Sequence, residues 1–224
     1  MLTRSFILNL FLTMCGLAVS SPGASAQQTM VDLQYRRKAD MLYPLASLIQ
    51  SEKGFADGGE TLIIGVLGKD PFQGIDPAGQ PVNHLDAMVA ESNARTGAQK
   101  RKYIEVKRFV SAKDYTACHV LFVSAQAAAG SAEKTVEQRL AAALELTKTS
   151  TVLICSDTEG FAKKGATLNF VLRKDANGVI KVVFEFNPDA AKRAGFTKID
   201  ARIYRLATVV QDNAAGAGTS REAN

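Results

Sequence analysis

The apolar positions of this chain come in short runs separated by polar, glycine-marked breaks, and the runs differ in period. Thr61 to Leu67 is a continuous apolar stretch of the kind that forms a strand buried on both faces. It stops at Gly68-Lys69-Asp70-Pro71, a turn by composition. Lys102 to Phe109 alternates instead, with Ile104 and Val106 set against Glu105 and Lys107, which predicts an edge or near-edge strand with one wet face. Cys118 to Val123 and Thr151 to Cys155 are again continuous runs. Between them Val136, Leu140 and Leu144 recur every four residues within Ser131 to Leu146, the period of an amphipathic helix. Strand, helix, strand at this spacing predicts a βαβ unit, parallel and right-handed.

Upstream, Val31, Tyr35, Leu42, Ala46 and Ile49 give residues 31–49 a loosely helical period, with Pro44 expected to kink or interrupt the helix. Glycines at 54, 58 and 59 mark a loop. Gln73 to Lys100 is polar and predicts a surface helix around His84 to Glu91 plus a mobile loop. In the last third, Ala166 to Leu172 and Val179 to Phe186 flank Asp175-Ala176-Asn177-Gly178, whose Asn-Gly pair predicts a hairpin. Asn187 then caps a short helix that opens with Pro188 and closes at Gly195, and a further helix is expected from Asp200 to Val210. The resulting fold class is α/β: a single three-layer-like domain with a partly parallel sheet built on the βαβ unit, and a C-terminal β-hairpin followed by helices.

The N-terminus changes the picture of where this domain works. Arg4, the apolar stretch Phe6 to Val19 and the small residues Ala24-Ser25-Ala26 read as an export signal over residues 1–26, cleaved after Ala26 into the periplasm. The stretch is shorter than the ~20 residues that span a bilayer. Cys15 as a lipid-anchoring residue fits poorly, because bulky Met14 precedes it. Residues 27–210 then form one domain, and the small, polar segment 211–224 is expected to be a disordered tail. The formal charge of +5 falls by one when Arg4 is removed, and the basic residues are scattered among acidic ones. No basic stripe with interleaved aromatics marks nucleic-acid binding.

Candidate chemistry is sparse. Cleavage leaves Cys118 and Cys155, at opposite ends of their predicted strands, which favours two separate buried thiols over a bridge. His84 and His119 lack spaced partners for a metal, and Cys118 and His119, as strand neighbours, point to opposite faces. Nucleophile-elbow, zinc-protease, dinucleotide and phosphate-loop motifs are all missing, and Gly65 to Asp70 reads as a glycine-assisted turn. Enzymatic activity and a cofactor are therefore not expected. Asp157 and Glu159, just past a strand's carboxyl end, are the one candidate ligand loop.

Several segments in order resemble the YfiR-like family of exported bacterial regulators. They are Ile64 to Phe72, Cys118 to Phe122, Gly160-Phe161-Ala162 with Gly165, Leu168-Asn169-Phe170, Phe184 to Asn187, Ala190 to Phe196 and Arg202 to Ala207. The resemblance covers residues 60 to 210; residues 31 to 53 depart from it, since the family's opening helix usually ends in Trp-Pro and this chain has no Trp. It implies a protein that binds the periplasmic part of an inner-membrane diguanylate cyclase and holds it inactive, lowering cyclic di-GMP and biofilm formation. The alternative is a periplasmic small-molecule sensor working with a membrane sensor kinase. Contact with the membrane would run only through the partner, and a homodimer is compatible with either reading. The matched segments make Glu185, Asn187, Arg193, Arg202 and Arg205 the candidate partner-binding residues. Glu185 either faces solvent as a recognition charge or faces inward, where it needs an Arg; Arg193, Arg202 and Arg205 are the candidates.

Overall fold

A seven-stranded sheet organises the chain. In the computed structural model the described residues are 22–51, 61–76, 78–95 and 103–212, with side chains described from Leu33 onward. The strands are β1 (Ile49–Gln50), β2 (Thr61–Leu67), β3 (Gln73–Ile75), β4 (Pro81–Asn83), β5 (Tyr103–Phe109), β6 (Val120–Val123), β7 (Leu153–Ser156), β8 (Leu168–Lys174), β9 (Ile180–Phe186), β10 (Lys198–Ile199) and β11 (Thr208–Val209). The helices are α1 (Pro22–Ser47), α2 (His84–Ala94), α3 (Val136–Thr147), α4 (Pro188–Arg193) and α5 (Ala201–Leu206). Across the main sheet the order is β11-β9-β8-β7-β6-β2-β5, and every neighbouring pair is parallel except β8 with β9.

Both faces of the central strands are buried, which is why their sequences read as unbroken apolar runs. Val120 and Phe122 enter one core, with Leu42 and Ala46 of α1 and Leu85 of α2. Leu121 and Val123 enter the other, with Leu140 and Ala143 of α3. Helix, sheet and helix thus form three layers. Phe72 is fully buried in the first core, its ring edge-on to Phe122 at 5.0 Å and to Tyr35 at 5.9 Å; burial of such a ring contributes about 1.5–3 kcal/mol. Cys118 and Cys155 are free, buried thiols in different cores, so the sheet itself lies between them.

The parallel β6-α3-β7 unit, the β5 edge and the β8–β9 hairpin stand where the apolar pattern puts them. At the hairpin tip Gly178 has φ +78°, a conformation open to glycine at no steric cost. Four boundaries differ. The helix α1 runs through Pro44, which lies close enough to its end that the missing N–H removes one bond of the last turn. Ile49 leaves that helix to pair with Ile199. Ser131 to Lys134 are loop, because Thr135 is the N-cap of α3 and shares a capping box with Gln138. Gln73–Ile75 and Pro81–Asn83 form a short hairpin instead of helix or loop, closed by Asp76, whose Oδ1 accepts from the Ala78 and Gln80 amides.

The last difference lies at the C-terminus. Residues 200–210 are not one helix: Asp200 caps α5, the chain turns extended at Ala207, and β-branched Thr208 and Val209 pair in parallel with Glu185 and Phe186. The expected cleavage site at Ala24 to Ala26 lies in the first turns of α1; residues 1–21 and 213–224 are outside the described residues. Among the described residues no helix is long and apolar enough to cross a membrane.

Candidate partner-binding surface

The parallel core, read as β5-β2-β6-β7-β8, has the 2-1-3-4-5 strand order whose ligand crevice opens between the carboxyl ends of the first and third strands. Here those ends are β2 and β6, and the loops that follow them are joined by hydrogen bonds. Lys69 donates its amide to Gln126 O at 2.9 Å, and Ser124 donates to Leu67 O at 3.0 Å. Gly68, at φ +100°, brings the chains so close that a Cβ would lie 2.6 Å from Gln126 O. Arg139 of α3 is fully buried behind them, donating to the carbonyls of Ser124, Ala125 and Glu133 at 3.1, 2.7 and 2.9 Å. The helical period that places Val136 and Leu140 inward places Arg139 on the same stripe, and that was its one sequence signal.

At the carboxyl end of β7 a buried ion pair ties α1 to the sheet, while Asp157 Oδ1 and Thr158 Oγ1 have no hydrogen-bond partner among the described residues. Asp157 accepts from Lys38 Nζ of α1 at 2.8 Å, with both side chains nearly inaccessible, and the Lys38 ammonium stands 4.1 Å from the Tyr35 ring centroid. Tyr35 also bonds Asp157; burial, and then the carboxylate's charge, push its hydroxyl well above the usual phenol range. Glu159 is apart from this cluster, exposed and 3.9 Å from Arg173. The two acids proposed as a ligand loop are thus not brought together: one is a buried anchor for α1 and the other a surface charge.

The five candidates in the C-terminal segment separate likewise. Glu185 is 6 % exposed and faces away from Phe184 and Phe186, so the inward alternative holds. Its partner is none of the three arginines expected: Arg173 Nη2 lies 3.3 Å from it and Asn169 Nδ2 donates at 3.1 Å. Both come from β8, where Asn169 is its register partner. Asn187 caps α4 through Ala190 N and donates to Ala162 O and to Asp212. Arg193 pairs with the same Asp212, which tethers the segment assigned to the tail on composition. Arg202 folds back on Asp200 at 2.8 Å, holding that carboxyl down at about 2. Arg205 is exposed and has no ion pair among the described residues.

Open surface remains beside these arginines. Leu206 is 61 % exposed, and with Met41, Pro44, Val182 and Phe184 it lines an apolar groove of about 310 Å³ between α1 and β9. Leu172 and Ile180 extend the apolar face along the β8–β9 hairpin. The sequence hid this patch, because α1 and β9 lie some 140 residues apart in the chain and only folding joins them.

The molecule is an α/β domain with a mostly parallel sheet and an apolar groove on one flank of α1. The chain belongs to the YfiR/HmsC-like family, a family of periplasmic regulators, whose pattern it matches over residues 35–208. The match begins at Tyr35 and so takes in α1, where the sequence departs from the family's usual helix ending. No curated protein matches the chain. Among solved structures it is similar to a conserved domain protein from Vibrio cholerae, at 10 % identity, TM-score 0.39 and 80 % coverage of this chain. An ABC domain from Streptococcus pneumonia in complex with L-Trp gives 11 % identity, TM-score 0.42 and 79 % coverage. The chain spans 60 % of the length of each.

Proposed function

We propose that this protein is an exported periplasmic repressor that binds the periplasmic part of an inner-membrane diguanylate cyclase and holds it inactive, lowering cyclic di-GMP. Family membership supports the class of partner. The observation that carries the reading is the exposed apolar surface around Leu206, an aliphatic centre on the same short helix as Arg202 and Arg205, with Asp40 at the groove. Interfaces are built this way, from an apolar core with a polar rim in which Arg is enriched and other charges are scarce.

Leu206→Asp tests it. The side chain is exposed, so unfolding should stay within about 0.5 kcal/mol of the parent. Association with the partner's periplasmic part should be lost, and cyclic di-GMP should rise in cells carrying the variant. A variant that represses normally places the contact elsewhere.

A further inference from the structure

A second groove, of about 470 Å³, lies between α1, the β3–β4 hairpin and α2, on the other flank of α1. Its size falls within the range of small-molecule sites. Ile75, Val82 and Met88 give it an apolar wall. Asp40, Asp76 and Glu91 stand around that wall with a single guanidinium, Arg36, so carboxylates outnumber cations. Arg36 and Asp40, one turn apart on α1, form no ion pair with any described residue. Asp76 turns only its Oδ1 to the hairpin amides, and Glu91 shares its charge with exposed Arg95.

An independent feature points to an occupant. His84, the first residue of α2, lines the groove at 8 % exposure, and its Nε2 is buried with no hydrogen-bond partner among the described residues. Its backbone is fixed, because His84 N donates to Phe72 O at 2.9 Å. Buried polar atoms are costly to leave unpaired and nearly always find a partner. The ring lines the groove, and no described residue stands within hydrogen-bond reach of that nitrogen.

We propose that this groove is a ligand site for an amphiphilic organic cation, an amine carried on an apolar body, with its ammonium among Asp40, Asp76 and Glu91 and its body on Val82 and Met88. His84 supplies the directional hydrogen bond. The inference does not depend on the partner surface; Asp40 is the one residue that lines both grooves.

The test is calorimetric titration of the processed protein with phenethylamine, and with 3-phenylpropionate as the same body carrying the opposite charge. Saturable one-to-one binding of the amine is expected, with the carboxylate at least about tenfold weaker. Ala87→Trp, at an exposed position on the groove, should remove binding while leaving the unfolding temperature unchanged. The double variant Asp40→Asn, Glu91→Gln should weaken the amine about fivefold or more, and His84→Asn should weaken it further. Equal affinity for both compounds, binding unaffected by Ala87→Trp, or no binding of the amine up to about 10 mM overturns the proposal.

Discussion

At the carboxyl ends of β6 and β7 the charged side chains turn inward. Arg139 is wrapped by three carbonyls, and Lys38 and Asp157 close on each other beneath α1. At the β9–β11 edge the arrangement is reversed, with Leu206 and Leu172 facing solvent and Arg205 unpaired among the described residues. The first region lies where α/β domains of this strand order usually keep a ligand. There Arg139 and the Lys38–Asp157 pair tie α3 and α1 to the sheet, while Asp157 Oδ1 and Thr158 Oγ1 are buried with no hydrogen-bond partner among the described residues. The second region, an edge bordered by the apolar groove, keeps exposed apolar area and a charge with no ion pair among the described residues. Glu185 lies near that edge but turns inward, and Arg193 is exposed yet already paired with Asp212.

The sharpest way to break this comparison is to remove one member of the buried pair. Asp157→Ala leaves Lys38 charged and buried without its counter-ion, and should cost about 3–5 kcal/mol in urea unfolding. The double variant Lys38→Met, Asp157→Leu should recover most of that loss, because two apolar groups of similar volume need no desolvation of charge. A single variant that unfolds like the parent would mean that Lys38 reaches water, and that this end of the sheet is open.

Glu185→Ala comes next. It leaves the Asn169 amide without its acceptor and removes one of Arg173's two carboxylate partners, for a loss of about 1–3 kcal/mol. Repression should fall only in proportion to the lost stability. Full stability with lost repression would move Glu185 back among the recognition residues.

Smaller still is an alkaline effect at Cys118, whose thiol burial pushes up to about 11. A thiol raised on folding is protonated in both states below its ordinary value of about 8.5, so its contribution is whole there. Between that value and about 11 the unfolded chain ionises first, and stability falls as pH rises. Unfolding midpoints at pH 8 and pH 11 should therefore differ by more in the parent than in Cys118→Ala. Native protein should also resist thiol reagents at neutral pH, since the thiolate is the reactive form.

Strand positions were legible because each central strand is buried on both faces, and Asn187 and Gly178 were legible because capping and hairpin chemistry are local. What escaped depends on contacts between distant segments. The β3–β4 hairpin is held by Asp76 and by Asn83 on Asp70, side chains that look like loop polarity in sequence. Glu185 was read as one of two alternatives, and its partner was sought downstream; Arg173 lies upstream on the strand beside it. Lys38 and Asp157 are more than a hundred residues apart, and nothing local to either announces the pair.

The two arginines of α5 give the finest test of the open edge, because they share a helix and differ in what they touch. Arg202 bonds Asp200 through Nε at 3.0 Å and Nη2 at 2.8 Å, and so holds the carboxylate that caps its own helix. Arg205 has no ion pair among the described residues, and its field only adds to the pull on Asp200. An exposed pair of this kind contributes little, so Arg202→Ala should lower stability at most slightly and weaken partner binding little, its charge being already matched. Arg205→Ala should leave unfolding unchanged. A free rim charge acts on encounter with an oppositely charged surface, so this variant should slow association and flatten its salt dependence, with dissociation nearly constant. Association kinetics at low and high salt, measured on both variants beside thermal unfolding, separate the two roles. If Arg202→Ala slows association as much as Arg205→Ala does, the Asp200 pair opens on binding, and the edge carries two recognition charges instead of one.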